Sequence, residues 1–146
     1  MLYGTFDTDD ASLNLEGTLI LPQLQFQRQT NFLVDTGATS SSVHPHVFED
    51  LGIDLQAIMA LPTSPIWGIG GSITVYNAHG FLAFQDSDNA YLYEVAISIY
   101  DPKNPPDVPS VIGRDILERW RMVYAKAHGV LEFDVLDADY TWGVSV

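Results

Sequence analysis

The sequence predicts an all-β domain, a small closed or partly closed barrel with one helix late in the chain. Three observations support this fold class. Short segments that alternate apolar with polar residues, or that are rich in aromatic and β-branched residues, recur along most of the chain. Clusters of turn residues separate these segments. Clear helical periodicity occurs in one place, from residue 114 to residue 121.

The first predicted strand is Leu13–Leu21, where leucines alternate with polar residues as in a half-buried strand. After the break at Pro22, Leu24 and Phe26 resume the alternation. Thr30–Val34 is predicted to be a strand buried on both faces, and it leads directly into Asp35. Further strands are predicted at Ser72–Tyr76, Gly80–Gln85, Tyr91–Tyr100, Met122–Ala125 and Val130–Phe133.

The predicted helix Arg114–Arg121 places Ile116, Leu117 and Trp120 on one face. A second short helix is predicted at Pro45–Leu51, because proline favours the first helical position and a glycine follows the last one. The four prolines of Asp101–Pro109 predict a surface loop, since proline disrupts both helices and central strands.

A chain of 146 residues is long enough for one domain with one sizeable core. We expect a single domain over residues 1–146, with its core at about 13–133 and with terminal extensions at 1–12 and 134–146. No apolar run reaches the length that crosses a membrane. The first ten residues carry acids and no base, which is unlike a secretory signal, so the expected location is cytoplasmic.

The composition excludes several classes of function. Six basic residues against nineteen acidic ones give a net charge of -13, which repels nucleic acids and anionic lipid surfaces. The absence of cysteine excludes disulfides, thiol nucleophiles and thiolate metal sites. His44 and His46 flank Pro45 without an evident third ligand, so surface histidines are favoured over a metal site. We expect neither a metal nor a cofactor.

The segment Phe32–Thr39 carries the candidate chemistry around Asp35. An acid at the end of an apolar strand loses solvation, so its charge needs compensation. Thr36 brings a hydroxyl, and Gly37 allows a tight turn that presents backbone N–H groups to the carboxylate. An Asp-Thr-Gly turn that merely ends a strand is also common, so the triplet alone is ambiguous.

Two further motifs resolve this ambiguity through a resemblance. Phe32–Thr39 resembles the active-site segment of aspartic peptidases, and Val111–Leu117 resembles the second signature of the retropepsin-like (retroviral-type) family. Between them, Trp67–Val75 resembles the glycine-rich flap hairpin that closes over bound peptide in that family. The three motifs occur in the family's order and spacing, over about Leu13–Phe133. The resemblance implies an acid-protease barrel with a flap hairpin.

The resemblance also implies the reaction. Two neighbouring carboxyl groups share a proton, so one activates water while the other protonates the peptide carbonyl. The Asp-Thr-Gly triplet occurs once in this chain, whereas pepsin-like enzymes carry two in a longer chain. The expected enzyme is therefore a homodimeric aspartic endopeptidase with one Asp35 per subunit, acting between hydrophobic residues of an extended peptide or protein substrate.

Roles for the residues around Asp35 follow from the same resemblance. Thr36 would hydrogen-bond across the two-fold axis to the partner's loop, and Gly37 would donate its N–H to the carboxylate and offer its carbonyl to substrate. Ala38 has no hydroxyl to donate to the outer carboxylate oxygen, which predicts a mildly acidic pH optimum. Support beneath the catalytic turn is expected from Val111, Ile112, Gly113 and Arg114.

The sequence departs from the viral pattern after Ala38. Viral members carry an acid there that pairs with the arginine, whereas this chain has Thr39 and Ser40. Arg114 therefore needs another partner, and the candidates are Asp115 and a carboxylate across the interface. The residues expected to contact substrate are Thr39, Trp67, Gly68, Ile69, Gly70 and Gly71. A phosphate-binding loop is disfavoured at these glycines, because neither Lys-Ser/Thr nor a helix follows them.

Two other functions remain open at this point. The chain is alternatively a non-catalytic dimerisation or peptide-binding module that keeps the fold, although such a scaffold has no need of a buried acid. It is otherwise a latent peptidase that waits for processing or for assembly at high concentration.

Overall fold

The computed structural model describes residues 1–7, 12–49, 51–68 and 70–144. Within them the strands are β1 Leu2–Tyr3, β2 Thr5–Phe6, β3 Leu13–Leu21, β4 Phe26–Val34, β5 Ser42–Val43, β6 Thr63–Gly68, β7 Gly71–Gln85, β8 Asn89–Tyr100, β9 Val111–Ile112, β10 Trp120–Ala125, β11 Val130–Val135 and β12 Tyr140–Gly143. The helices are α1 Leu55–Met59 and α2 Arg114–Leu117, with 3₁₀ turns at Pro22–Leu24, Pro45–Phe48 and Lys126–His128.

Six strands close into a barrel in the order β8, β5, β9, β4, β3, β7, and β7 pairs back with β8. Most of these pairs are antiparallel, but β4 runs parallel to β9 and β5 runs parallel to β8. The all-β closed barrel predicted from the sequence is confirmed.

Six further strands of the described chain extend or flank this barrel. On the outside, β12 pairs with the first residues of β8, β6 pairs with β7, and β2 pairs with β3. A separate three-stranded sheet has the order β1, β11, β10, with Leu2 opposite Phe133. Strands from both of the predicted terminal extensions thus pair with the body of the domain.

The core lies inside the barrel and beneath the three-stranded sheet. Trp120 is one of its buried residues, with its ring centroid 4.9 Å from that of Phe84 and 5.3 Å from that of Phe133. The Trp120 indole N–H donates to the Tyr93 hydroxyl, which donates to the carbonyl of Asp137, so neither buried polar group lacks a partner. Each fully buried side chain of this size contributes about 1.5–3 kcal/mol to folding.

Several predicted elements differ in extent from the observed ones. The helix predicted at Arg114–Arg121 ends at Leu117, because Trp120 begins β10 and packs into the core as a strand residue. The helix predicted at Pro45–Leu51 is a 3₁₀ turn ending at Phe48. The two strands predicted between residues 72 and 85 are one strand, β7, since residues 77–79 keep their pairing with β8.

Other features were correctly predicted or missed. The turn at Asp86–Asn89 joins β7 to β8, and residues 101–109 form a loop, both as predicted. Strand β12 and helix α1 had no clear signal in the sequence. No helix in the described part of the chain is long and apolar enough to cross a membrane.

Candidate active site

Asp35 directly follows β4, where the chain leaves the barrel in a tight turn. Its backbone N–H donates to the Ile112 carbonyl at 3.1 Å, which extends the parallel pairing of β4 with β9 by one residue. The Gly37 N–H donates to Asp35 Oδ1 at 2.8 Å, and the Ala38 N–H donates to the Asp35 carbonyl at 3.2 Å. The carboxylate is half-buried and accepts a charge-stabilising backbone hydrogen bond.

A side chain at position 37 would be crowded in this turn. A Cβ atom at position 37 would lie 3.1 Å from Asp35 Oδ1, which is closer than most side chains tolerate. The absence of a side chain therefore lets the Gly37 N–H approach the carboxylate. The hydrogen bond from the Gly37 N–H to the carboxylate is the one expected from the sequence, and the expected contact of the Gly37 carbonyl with substrate stays a prediction.

The Asp35 turn rests on the segment that contains β9 and α2. Leu33 and Val34 pair with Val111 and Ile112, all but Leu33 being buried. The N–H of Arg114 donates to the Ala38 carbonyl at 2.8 Å, and that of Asp115 donates to the Thr39 carbonyl at 3.2 Å. The start of α2 is thus bound to the backbone immediately after the Asp35-Thr36-Gly37 triplet.

Gly113 sits at the closest approach of these two segments. A Cβ atom on Gly113 would lie 2.6 Å from both atoms of the Ser40 carbonyl and 2.9 Å from the Ala38 oxygen. These are backbone atoms, so no side-chain rearrangement would relieve the clash. Glycine at this position is therefore a condition for the contact between α2 and the Asp35 loop.

Arg114 finds its side-chain partner in Thr39. The guanidinium Nη2 donates to Thr39 Oγ1 at 3.2 Å, and both side chains are exposed. The partner considered from the sequence, Asp115, instead accepts hydrogen bonds from Ser41 and from the Ile116 N–H. The other guanidinium N–H groups of Arg114 belong to an exposed side chain and face solvent in a single chain.

Sequence reasoning missed Ser41 as a site residue. Its hydroxyl donates to Asp115 Oδ1 at 2.7 Å and accepts from the Gly113 N–H at 3.1 Å, and the residue has no exposed surface. Ser41 belongs to the run Thr39-Ser40-Ser41-Ser42, and nothing in that run indicates which hydroxyl faces inward. The tertiary contact alone distinguishes it.

The residues predicted to contact substrate fall into two groups. Thr39 lies beside the Asp35 turn, whereas Trp67, Gly68, Gly70 and Gly71 form the end of the hairpin between β6 and β7. Gly70 and Gly71 have φ of 96° and 121°, which favours glycine. Ile69 lies outside the described residues. Among those that are described, no hydrogen bond joins the hairpin end to the Asp35 turn.

The exposure of Trp67 is the notable property of this hairpin. Its side chain is 76% exposed, the highest value among the exposed large hydrophobic residues of the described chain. An exposed indole at the end of a two-stranded hairpin has little to pack against in one chain. Its position leaves it available to a bound molecule or to a second chain.

A cleft of about 680 Å³ among the described residues is lined by residues of β1, β2, β3, β4, β7, β8 and β12, and Asp35 is not among them. The described residues contain no cluster of three potential metal ligands. The His44 and His46 rings lie 2.8 Å apart at Nδ1, and burial together with the charge of His46 lowers the pKa of His44.

Solved structures with a similar chain fold include two aspartic proteases. A retropepsin-like aspartic protease from Rickettsia conorii superposes with a TM-score of 0.60 at 14% identity, over 99% of this chain and 92% of that one. The EIAV protease complexed with the inhibitor HBY-793 matches with a TM-score of 0.46 at 16% identity, over 78% of this chain and 92% of that one. No family model matches the sequence. No curated protein matches it either. The chain has the retropepsin-like fold.

Proposed function

We propose that this chain is a homodimeric aspartic endopeptidase that hydrolyses peptide bonds through water activated by two Asp35 carboxylates, one from each subunit. The observation that carries the proposal is the hydrogen bond from the Gly37 N–H to Asp35 Oδ1 within a turn held by Ile112 and Arg114. This arrangement holds a charged acid in a defined orientation at the surface of one subunit. A purely structural turn has no need of such an acid.

The chemistry requires the second subunit. Two carboxyl groups about 3 Å apart cannot both ionise comfortably and therefore share one proton. In the proposed reaction, the ionised Asp35 takes a proton from water as the water oxygen bonds to the peptide carbonyl carbon. The protonated Asp35 of the other copy gives its proton to the carbonyl oxygen. The C–N bond of the tetrahedral intermediate then breaks as the nitrogen takes a proton from the Asp35 that deprotonated the water, while the other Asp35 takes a proton from a hydroxyl of the intermediate. This leaves an amine, a carboxylic acid and one shared proton on the two carboxyl groups.

The neighbouring residues have supporting roles in this proposal. Thr36 is exposed in one chain, which suits a hydrogen bond to the partner's loop across the two-fold axis. Gly37, through its carbonyl, and Thr39 would bind the backbone or side chains of an extended peptide. The hairpin end with Trp67 would cover that peptide and exclude water, as a flap does. Hydrophobic residues on both sides of the cut are the expected substrate preference.

The test compares the wild-type protein with Asp35→Asn on a peptide library at about pH 4 to 7. We expect wild-type cleavage that a statine-type inhibitor blocks and that falls about 10²–10⁴-fold in Asp35→Asn. Asp88→Asn is the matched control, because Asp88 is exposed on the turn between β7 and β8. Sedimentation measured in parallel establishes the concentration at which the chain is dimeric.

Two results would reject the peptidase. A dimer that cleaves nothing would favour the non-catalytic peptide-binding module, and cleavage that survives Asp35→Asn would come from a contaminant or from another site. Activity that appears only after processing, or only at concentrations where the dimer assembles, would favour the latent form.

A further inference from the structure

The outer face of β3 and β4 carries a row of polar side chains rich in amides. On β3, Asn14, Glu16 and Thr18 alternate with buried residues, so they share the face that points away from the core. On β4, Gln29 lies opposite Thr18 and Asn31 lies opposite Glu16, which places both on that same face. Five polar side chains, three of them amides, therefore lie side by side on the outside of the barrel.

These side chains line the cleft of about 680 Å³, a volume within the range of about 300–1,000 Å³ that small-molecule sites occupy. The other walls of the cleft come from β1, β2, β7, β8 and β12. Two of the lining residues are aromatic and exposed: Tyr3 of β1 is 69% exposed, and Trp142 of β12 is 49% exposed. Rings this exposed bury little surface within the chain and are available to a ligand.

The strand backbones also leave hydrogen-bonding groups at this cleft. On one edge, β3 pairs with β2 as far as Asn14 and with β7 from Thr18, so residues 15–17 have no partner on that edge in the described chain. After Ala83, β7 separates from β3, which leaves Phe84 and Gln85 without a described partner on the same side. Each gap is shorter than an ordinary strand of about five or six residues. The gap therefore suits a compact ligand better than an added peptide strand.

The charge of the cleft favours an uncharged ligand. Glu16 is the only charged residue among those that line it in the described chain, and its carboxylate accepts a hydrogen bond from Gln29 Nε2 at 2.9 Å. The side chains of Asn31 and Gln85 have no hydrogen-bond partner in the described part of the chain. A cation finds a single carboxylate here, and an anion is repelled by that carboxylate and by the net charge of -13.

We propose that this cleft is a second binding site, separate from Asp35, that takes an uncharged saccharide. A sugar hydroxyl both donates and accepts hydrogen bonds, which matches amide side chains that offer N–H donors and a carbonyl acceptor. The C–H groups on the face of a sugar ring stack on an aromatic ring, because the ring face is electron-rich. Amides beside the exposed rings of Tyr3 and Trp142 provide both kinds of contact in one cleft.

Nuclear magnetic resonance tests the site with three neutral trisaccharides: maltotriose, cellotriose and N-acetylated chitotriose. We expect at least one of them to shift the indole N–H signal of Trp142 and the side-chain amide signals of Asn31 and Gln85, with a dissociation constant of about 1 mM or below. Glycerol at the same hydroxyl concentration should shift none of these signals. The absence of shifts with all three sugars at about 10 mM, or equal shifts with glycerol, would overturn the proposal.

Variants at exposed positions locate the bound sugar. Trp142→Ala and Asn31→Ala should each raise the dissociation constant roughly five- to tenfold, since each removes a stacking ring or a hydrogen-bonding amide. The matched controls are Tyr140→Ala on β12 and Gln27→Ala on the outer face of β4, because both residues are exposed and neither lines the cleft. The controls should bind as the wild type does. A dissociation constant that is unchanged in either Trp142→Ala or Asn31→Ala would reject the site.

Two further ligands test the charge and the chemical class. Trigalacturonic acid should bind more weakly than the neutral sugars, because Glu16 and the net charge repel its carboxylates, and tighter binding would contradict the proposal. An extended uncharged peptide that shifts the same signals when no sugar does would assign the cleft to peptides and reject the saccharide. Binding is measured here without cleavage, so a failed peptidase assay leaves this result intact.

Discussion

Ser41 and Asp115 are joined by two hydrogen bonds across 74 positions of sequence. The Ser41 N–H donates to Asp115 Oδ2 at 2.9 Å, and its hydroxyl donates to Asp115 Oδ1 at 2.7 Å. This pair fastens the first turn of α2 to the segment that follows Asp35. The neighbouring Arg114 N–H also binds the Ala38 carbonyl. The position of the Asp35 turn relative to α2 therefore depends on the hydrogen bonds between Ser41 and Asp115.

Ser41→Ala should destabilise the fold. The substitution removes the hydroxyl that donates to Asp115 and accepts from the buried Gly113 N–H. Leaving that N–H without an acceptor lowers the free energy of unfolding by about 1–3 kcal/mol. The free energy of unfolding in urea measures this loss. Ser40→Ala, at the exposed neighbouring position, should change it by less than about 0.5 kcal/mol. Equal effects of the two substitutions would show that the Ser41 hydroxyl does not stabilise the loop.

Gly113→Ala should be more damaging than an ordinary surface substitution. The added methyl group meets the Ser40 carbonyl at 2.6 Å, so the loop or α2 must shift, at a cost of about 1–3 kcal/mol or more. Gly143→Ala is the control, because a Cβ atom there meets nothing within 4 Å. Thermal unfolding of the two variants gives the comparison, and a Gly113→Ala protein as stable as Gly143→Ala would contradict the close contact.

Asp86 should make stability depend on pH. Burial acts to raise the pKa of this carboxyl, but hydrogen bonds from the Met1 ammonium, the Asn89 and Asp88 N–H groups and the Tyr91 hydroxyl outweigh it and hold the pKa well below 3.8. A depressed folded-state pKa stabilises the protein above the unfolded-state value and loses that effect as the pH falls below it.

Asp86→Asn should therefore lower the free energy of unfolding at neutral pH, and its difference from wild type should shrink below about pH 4. Urea unfolding at several pH values measures both. Asp88→Asn is the neighbouring control. A difference that stays constant from neutral pH to about pH 3 would be inconsistent with the carboxylate as the stabilising species.

Thr36 should affect assembly if the proposed dimer forms. Thr36→Val removes the hydroxyl at nearly constant shape, and two hydrogen bonds of about 1 kcal/mol each are lost by symmetry, so the dimer dissociation constant should rise roughly tenfold or more. Thr36→Ser keeps the hydroxyl and should remain close to wild type. Sedimentation at several concentrations distinguishes the variants, and equal behaviour of both would remove Thr36 from the interface.

The residue at position 38 should determine how far peptide cleavage persists as the pH is lowered. Ala38→Ser adds a hydroxyl that can donate to the ionised dyad, so cleavage should persist to lower pH than in wild type. Ala38→Gly adds no donor and should leave the profile unchanged. The wild-type optimum is expected to be mildly acidic. An optimum near pH 2 for the wild type would refute the reasoning from the missing hydroxyl.

Much of the fold was predictable because its signals are local. The alternation in Leu13–Leu21 and the apolar run before Asp35 were correctly read as the strands β3 and β4, since side chains of a strand alternate between two environments. The extent of α2 was not predictable in this way. Trp120 continues the helical periodicity of Ile116 and Leu117, but its burial against Phe84 and Phe133 outweighs helix propensity and starts β10.

The candidate site likewise contains residues with a local sequence signal and residues that only tertiary packing brings together. Asp35, Thr36 and Gly37 were identified from the sequence, because a triplet at the end of an apolar strand contains its own turn and its own N–H donor. The catalytic role of Asp35 and the flap role of Trp67 stay predictions. Ser41 was not identified, since its partners Gly113 and Asp115 are more than 70 positions away and only the packed barrel brings them together.

The sequence by itself determined that the chain forms a β barrel with a single Asp-Thr-Gly turn, because hydrophobic alternation and turn residues act over a few positions. The tertiary structure decided how that turn is held, with Gly113 in backbone contact with Ser40 and with Asp115 bound to Ser41. It also decided that β11 lies between β1 and β10, which are the two edge strands of the three-stranded sheet in the described part of the chain. Strand order and long-range hydrogen bonds depend on which surfaces pack together, and residues far apart in sequence carry no local signal of that choice.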